Sequence, residues 1–425
     1  MKERLFTRNF LLLMFGQVSS LFGNSILRLA LSMYILDQTG SAAVFGSVLS
    51  AAVLPTILLS PLGGFLADRM NRRNLMVLLD ALTGLAVLAT ALVLSCSDSI
   101  VPIVILLMLL SVLGAFETPA VQACIPSMLS GENIIRGNAL VNQAAAISGL
   151  VAPALGGLLY AAFGLVPVMY ASVLCFFATA LSECFIRLGS QPISKGDGLL
   201  SMVWQDLSLC ARYLYRERPS ILKLLFLVAF SGFFVIGVAA VGFPYLVRTV
   251  LGLDARYYGA AESALAMAAL GGSIAAGALV GKLRTARLAG VLAALGACLL
   301  PVGGIFLIPA GGNVRYFISL AAFCGMQAAV SIFSLFALSL IQRDTPDNLM
   351  GKVMAYTSAI TLCAQPLGQL VYGFLFERFR EAVYLVLIPT AGILFAVGWM
   401  AKGFFREMER EEMQKKGLGQ GPSRG

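Results

Sequence analysis

The chain has 425 residues, of which 59% are hydrophobic and 12% charged, with mean hydropathy +0.88 and a formal net charge of +9. A soluble globule of this length carries about a quarter charged residues, so the composition excludes a soluble enzyme or nucleic-acid-binding domain and describes an all-α membrane protein. The charges cluster between apolar runs of about 20 residues, the length a helix needs to cross a hydrocarbon core.

Twelve such runs are predicted, at about residues 10–36, 43–66, 74–95, 100–124, 138–162, 166–187, 221–247, 258–281, 288–309, 314–340, 353–376 and 382–403. Lys2, Arg4 and Arg8 precede the first, as in an export signal, but the run continues to about Ile35 without a small-residue cleavage site and reads as an uncleaved span. It carries Gln17, Ser20, Asn24 and the one arginine deep in a span, Arg28. Gly64-Phe-Leu-Ala-Asp68-Arg69-Met-Asn-Arg72-Arg73 joins the second and third spans. Asp80 falls two turns into the third, and Glu117 about six residues from the end of the fourth. The fifth holds Asn142 and Gln143, then Ser148-Gly149-Leu-Val-Ala152-Pro153-Ala-Leu-Gly156-Gly157. Glu183 closes the sixth, four residues before Arg187, the spacing of a helical ion pair at the membrane boundary.

Residues 189–219 form the longest polar stretch, a linker whose segment from Leu199 to Arg216 has the pattern of a helix lying in the membrane interface. The seventh span carries Ser231, Phe233, Phe234, Phe243 and Tyr245. Glu262 stands in the first turns of the eighth, where a carboxylate also suits a helix N-terminus. Gln327 lies in the tenth, and Tyr356, Gln365 and Gln369 in the eleventh. A charged tail ending in Gly-Leu-Gly-Gln-Gly-Pro-Ser makes residues 404–425 a disordered segment by expectation. The eight cysteines are scattered without a Cys-x-x-Cys pair and read as packing residues.

Landmarks of the first half recur in the second. Gly64 answers to Gly277 and Pro153 to Pro366, each 213 positions later, and Gly137 answers to Gly351. Gly281-Lys282-Leu-Arg284 is a worn echo of the basic turn at Asp68. The chain is therefore a duplication, with bundles at 1–188 and 220–403, the linker at 189–219 and the tail at 404–425. With both termini in the cytoplasm of a cell-membrane protein, 24 of the 30 Lys and Arg lie inside. The net charge follows from that topology and from attraction to anionic inner-leaflet lipid, with no nucleic-acid partner.

Two sixfold halves, a basic central loop and the Gly64 to Arg73 motif resemble the major facilitator superfamily. Gly16-Gln17-Val-Ser-Ser-Leu-Phe-Gly23-Asn24 and the stretch from Ile125-Pro126 to Gly157 look most like its twelve-span drug and siderophore exporters, the macrolide and enterobactin efflux group. The resemblance implies a monomer that binds amphiphilic cargo near mid-membrane and rocks residues 1–188 against 220–403 in exchange for protons. Gly64, Asp68, Arg69, Arg72 and Arg73 would form a polar latch, and Gly149, Pro153, Gly156 and Gly157 a span-five hinge, although Ala152 stands where that motif has glycine and close packing explains the same residues. Gln17, Asn24, Arg28, Asn142, Gln143, Phe233, Phe234, Gln327, Tyr356, Gln365 and Gln369 would line the cavity, with helix packing as the alternative for each.

The fourth span lacks the arginine of many proton-coupled members, so the usual relay does not transfer. Candidate proton-coupling residues are Glu117, on a cavity-lining helix, then Asp80 and Glu262; Asp80 also suits bracing of the Asp68 turn. No phosphate-binding Gly-x-x-x-x-Gly-Lys-Ser/Thr stretch and no histidine occur, so no cofactor, nucleotide site or metal is expected. Transport of an endogenous lipid-like molecule or metabolite, and a non-transporting scaffold or sensor, are the other readings.

Overall fold

The structure, a computed structural model, describes residues 5–97, 99–187, 212–216, 218–280 and 284–418. Among these there is no strand, and twelve helices are long and apolar enough to cross a bilayer. They are α1 (Arg8–Thr39), α2 (Ala42–Arg69), α3 (Arg72–Leu94), α4 (Val101–Met128), α5 (Glu132–Phe163), α6 (Leu165–Cys184), α7 (Pro219–Ile236), α8 (Ala255–Leu279), α9 (Leu288–Ile305), α10 (Gly312–Asp344), α11 (Asp347–Arg378) and α12 (Tyr384–Leu418).

Local chemistry sets several boundaries. Thr7, Ser41 and Asn71 cap α1, α2 and α3, each accepting a hydrogen bond from the backbone N–H three residues on. Gly40 ends α1 in the left-handed conformation that glycine adopts without strain. The seventh span does not end with α7: it widens into π-helical turns at Gly237–Gly242 and Leu246–Val250, on either side of Phe243–Tyr245. Pro244 lacks the N–H a regular helix would use, and wide turns accommodate that loss.

Contacts divide the chain into two compact units, Met1–Asp206 with Pro244–Ser263, and Leu207–Phe243 with Ala264–Gly425. The far end of the seventh span and the first turns of α8 thus group with the first six helices. In the first unit α1 packs on α5 and α6, and α3 on α4 and α6. In the second, α7 packs on α11, and α9 on α10 and α12. The pairs α1–α5, α3–α4 and α3–α6 are repeated six helices later, so the duplication in sequence is a duplication of packing. Large apolar side chains such as Leu58, Ile274 and Trp399 point outward in a number that water would not tolerate and a lipid surface requires.

Small residues let the helices close. In the first unit a Cβ on Gly157 of α5 would stand 2.8 Å from the Ala255 carbonyl oxygen and 3.0 Å from Gly259 Cα of α8. In the second, Gly237 and Gly368 bring the seventh span onto α11, against Tyr372 and the backbone of Phe233.

Two expectations change or fall away. Helix α12 continues to Leu418, so most of 404–425 is helical rather than disordered; Arg, Lys, Glu and Met are good helix formers, and Glu409 accepts a hydrogen bond from the backbone N–H of Ala286. The interfacial segment from Leu199 lies outside the described residues except for 212–216, as do Gly281 and Lys282. We expect Gly157→Val to lower thermal stability in detergent by about 1–3 kcal/mol, because the added side chain meets backbone on α8. Gly149→Ala, whose Cβ meets nothing within 4 Å, should leave the melting temperature unchanged.

Candidate functional site

The close approach of α6 to α1 creates the site. Gly16 and Gly23 face α6, where a Cβ would stand 3.0 Å from Ser182 Oγ and 2.9 Å from Cys175 Cβ respectively. Small polar residues of α6 then bond the α1 backbone: Thr179 Oγ1 donates to the Gly16 carbonyl at 3.0 Å and Ser172 Oγ to that of Gly23 at 3.2 Å. This draws Glu183 against α1, its Cγ 3.6 Å from the Cβ position of Gly16.

One turn beyond Gly16, Ser20 Oγ lies 3.1 Å from Asp80 Oδ1 of α3 and 3.3 Å from Glu117 Oε1 of α4. Three carboxyl groups from three helices therefore surround α1. Asp80 is 1% exposed and Glu183 0%, whereas Glu117 is half-buried. Asp80 Oδ2, both Glu183 oxygens and Gln17 Nε2 have no hydrogen-bond donor or acceptor partner among the described residues. Below them, at the Arg8 end of α1, Phe10, Leu13, Leu75, Met76, Val121 and Ile125 form an apolar floor.

Asp80 is bonded to Ser20; the side chains of Asp68 and Arg69, in the turn it was expected also to brace, lie outside the described residues. Glu183, expected to pair with Arg187, forms no such pair and is buried, because α6 ends at Cys184 with its last turn pressed on α1. Arg28 is exposed on α1 and donates from Nε to Asn24 Oδ1 at 2.9 Å, and Glu117 is the carboxylate whose field reaches it. Gly64, Asp68 and Arg69 lie in the last turns of α2, with side chains outside the described residues. Arg72 donates to the Ala123 carbonyl at 2.8 Å and to Ser127 Oγ, and Arg73 to the Cys184 carbonyl, so the basic pair ties the start of α3 to the ends of α4 and α6.

The other candidates lie apart from the carboxyl cluster. Glu262 accepts from Tyr258 Oη one turn earlier on α8. On α5, the Pro153 carbonyl faces Gly259, Gly156 rests on Ile26 of α1, and Asn142 and Gln143 are exposed. In the second unit Phe234 is buried, its ring edge-on to Phe230 and Phe233. Gln327, Tyr356 and Gln365 are half-buried, and Gln369 is buried with Oε1 unpartnered.

A second polar centre sits at the Thr39 end of α1. Arg248 donates to both oxygens of Asp37, with Nη2 to Oδ2 at 2.8 Å, and to the Leu253 carbonyl at 2.9 Å, while Tyr160 Oη donates to Asp37 Oδ2 at 2.7 Å. This bidentate clamp joins α1, α5 and the end of the seventh span within the first unit.

Twelve spanning helices, a repeated packing pattern and polar residues held inside the bundle are matched by the sequence profile of the Major Facilitator Superfamily over residues 13–368. The chain belongs to the Major Facilitator Superfamily. Among similar proteins is macrolide efflux protein A of Streptococcus pyogenes, 23% identical over 386 residues that cover 90% of this chain and 93% of that protein. Multidrug efflux pump Tap of Mycobacterium tuberculosis is 27% identical over 206 residues, 46% of this chain and 49% of its own length. The crystal structure of the nucleoside transporter NupG superposes with a TM-score of 0.74 at 11% identity, covering 94% of this chain and 99% of that one. An inward-facing bacterial homologue of the iron transporter ferroportin gives 0.69 at 16%, covering 93% and 98%. At these identities the likeness to solved structures is one of fold alone. This superfamily member is a multi-pass membrane transporter and not an enzyme.

Sequence reasoning read Glu183 as half of a boundary ion pair with Arg187 and passed over the Asp37, Tyr160, Arg248 clamp. The signal for Glu183 was present as Ser172, Thr179 and Ser182, a polar stripe at helical spacing opposite Gly16 and Gly23. The clamp joins residues 211 positions apart and left no local pattern. Arg248→Met should destabilise the detergent-solubilised protein by about 1–2 kcal/mol, the effect of a charged hydrogen-bond pair reduced by partial solvent access. Reversing both charges, Asp37→Arg with Arg248→Asp, should recover part of the lost melting temperature.

Proposed function

We propose that this transporter exports amphiphilic small molecules from the cell by proton antiport, through alternating access, with both termini in the cytoplasm of the cell membrane. The observation that carries the proposal is the Ser20 bridge. A serine hydroxyl holds one proton, so it can donate to Asp80 or to Glu117 but not to both. Both contacts are satisfied only when one carboxyl is itself protonated and donates to Ser20. A bundle that gathers carboxyls around one hydroxyl in a membrane interior is built to hold an exchangeable proton, because an unpaired ionised carboxylate there is strongly disfavoured.

Within the cluster Glu117 is the half-buried member and so takes the coupling role, loading a proton from outside and releasing it inside before cargo binds. Asp80 is its partner through Ser20, and Glu262, already engaged by Tyr258, is the weaker candidate. Export rather than import, and amphiphilic drugs such as macrolides as cargo, rest on the relatives named for macrolide and multidrug efflux. Gln17, Asn24 and Arg28 in the first unit, and Phe233, Gln327, Tyr356 and Gln365 in the second, are the polar and aromatic groups offered to such cargo.

The test is accumulation of macrolides, fluorescent cationic dyes and catecholate siderophores in cells with and without the protein, before and after a protonophore. Lowered accumulation of one class, reversed by the protonophore, is expected, and Glu117→Gln should reach the membrane in normal amount yet lose pH-driven transport. Unimpaired pH-driven transport by that variant would remove Glu117 from the mechanism.

A further inference from the structure

Glu183 and Asp80 are the two most deeply buried acids of the first unit, and they come together where α6 packs on both α3 and α1, Glu183 against Gly16 and Asp80 one turn on at Ser20. Two ionised carboxylates are both acceptors, so that approach is repulsive unless one of them carries a proton. Neither Glu183 oxygen nor Asp80 Oδ2 has any other partner among the described residues. On α1, Gln17 stands between Gly16, which faces Glu183, and Ser20, which bonds Asp80, and its Nε2 is likewise unpartnered in a side chain only 6% exposed.

Among the described residues no cation is hydrogen-bonded or ion-paired to either acid. Glu117 of α4 adds like charge, and Cys124 of α4 and Cys184 of α6 are thiols. Arg28 is exposed and donates to Asn24. Along α3, Arg72 stands about 12 Å and Arg73 about 10 Å from Asp80, by 1.5 Å per residue; Arg72 donates to the Ala123 carbonyl of α4, and Arg73 to the Cys184 carbonyl next to Glu183 rather than to its carboxyl.

We propose that Asp80 and Glu183 form a second proton-binding site, which holds one shared proton between two carboxyl oxygens and communicates through Ser20 with Glu117. The route is Glu117, Ser20, Asp80, Glu183, from the half-buried member to a residue one position from the end of α6. Each transfer is balanced: Glu117 O–H gives its proton to Ser20 Oγ as the Ser20 hydroxyl proton passes to Asp80 Oδ1 of the unprotonated pair, which leaves Glu117 ionised, and rotation of the Asp80 carboxyl then lets that single proton be shared with Glu183. The occupied pair carries one negative charge in place of two. This deepens the proton-antiport reading and rests on it for its role in transport, but the proton itself is a property of the resting protein.

Infrared spectroscopy of the full chain in nanodiscs tests it without cargo. A carbonyl stretch of protonated carboxylic acid, shifted by deuterium exchange, is expected at neutral pH in the wild type and should vanish as pH is raised. Asp80→Asn and Glu183→Gln should each shift its frequency and the pH at which it vanishes, because the proton loses one of its two carboxyl oxygens, whereas Glu117→Gln should keep the wild-type band. Size-exclusion profiles and melting curves identify any variant that has unfolded, and titration of the wild-type band needs no variant at all. Absence of the band in the folded wild type, or a band of unchanged frequency and pH midpoint in both Asp80→Asn and Glu183→Gln, would overturn the proposal. Transport that ignores a protonophore while the band is present would instead defeat the antiport reading and leave the proton site standing.

Discussion

A polar group inside hydrocarbon must find its partner inside the protein, and this constraint organises the molecule. The backbone meets it by remaining helical in all twelve spans, and where Pro244 removes a donor the seventh span widens rather than breaks. Side chains meet it less completely. Thr179 and Ser172 use the α1 carbonyls, Arg72 and Arg73 use those of α4 and α6, the carboxyls of Asp80 and Glu117 meet at Ser20, and that of Glu183 is buried without a partner among the described residues.

That incompleteness is where packing becomes chemistry. Gly16 and Gly23 allow α6 to lie against α1, and the same contact that gains dispersion energy also confines Glu183 beside Asp80. A looser contact would admit water and leave two ordinary ionised acids. A tight one keeps Glu183 out of water, so helix packing and the burial of that acid are consequences of the same small residues.

The two polar centres of α1 serve opposite ends of one helix. Near the Arg8 end the cluster is acidic and short of donors; at the Thr39 end Asp37 has a bidentate arginine and a tyrosine hydroxyl. The second arrangement is a fixed charge pair that is weakened by solvent and salt.

The amino-acid sequence by itself determined the class, the twelve spans and the duplication, because hydropathy, charge distribution and a 213-residue recurrence of Gly and Pro are properties of the chain written in one dimension. It also marked Glu117, Asp80 and Arg28 as unusual, since charge within an apolar run is conspicuous wherever the helix ends up. Only the tertiary structure decided that Asp80 meets Ser20 and that Glu183 turns away from Arg187 into the bundle. It alone joined Asp37 to Arg248. Local spacing placed Glu183 and Arg187 on one helical face, but α6 ends after Cys184 and Glu183 is pressed against Gly16 on a helix more than 160 residues earlier. Which carboxyls share a proton depends on distances between helices, and those are fixed by the small residues at which the helices touch.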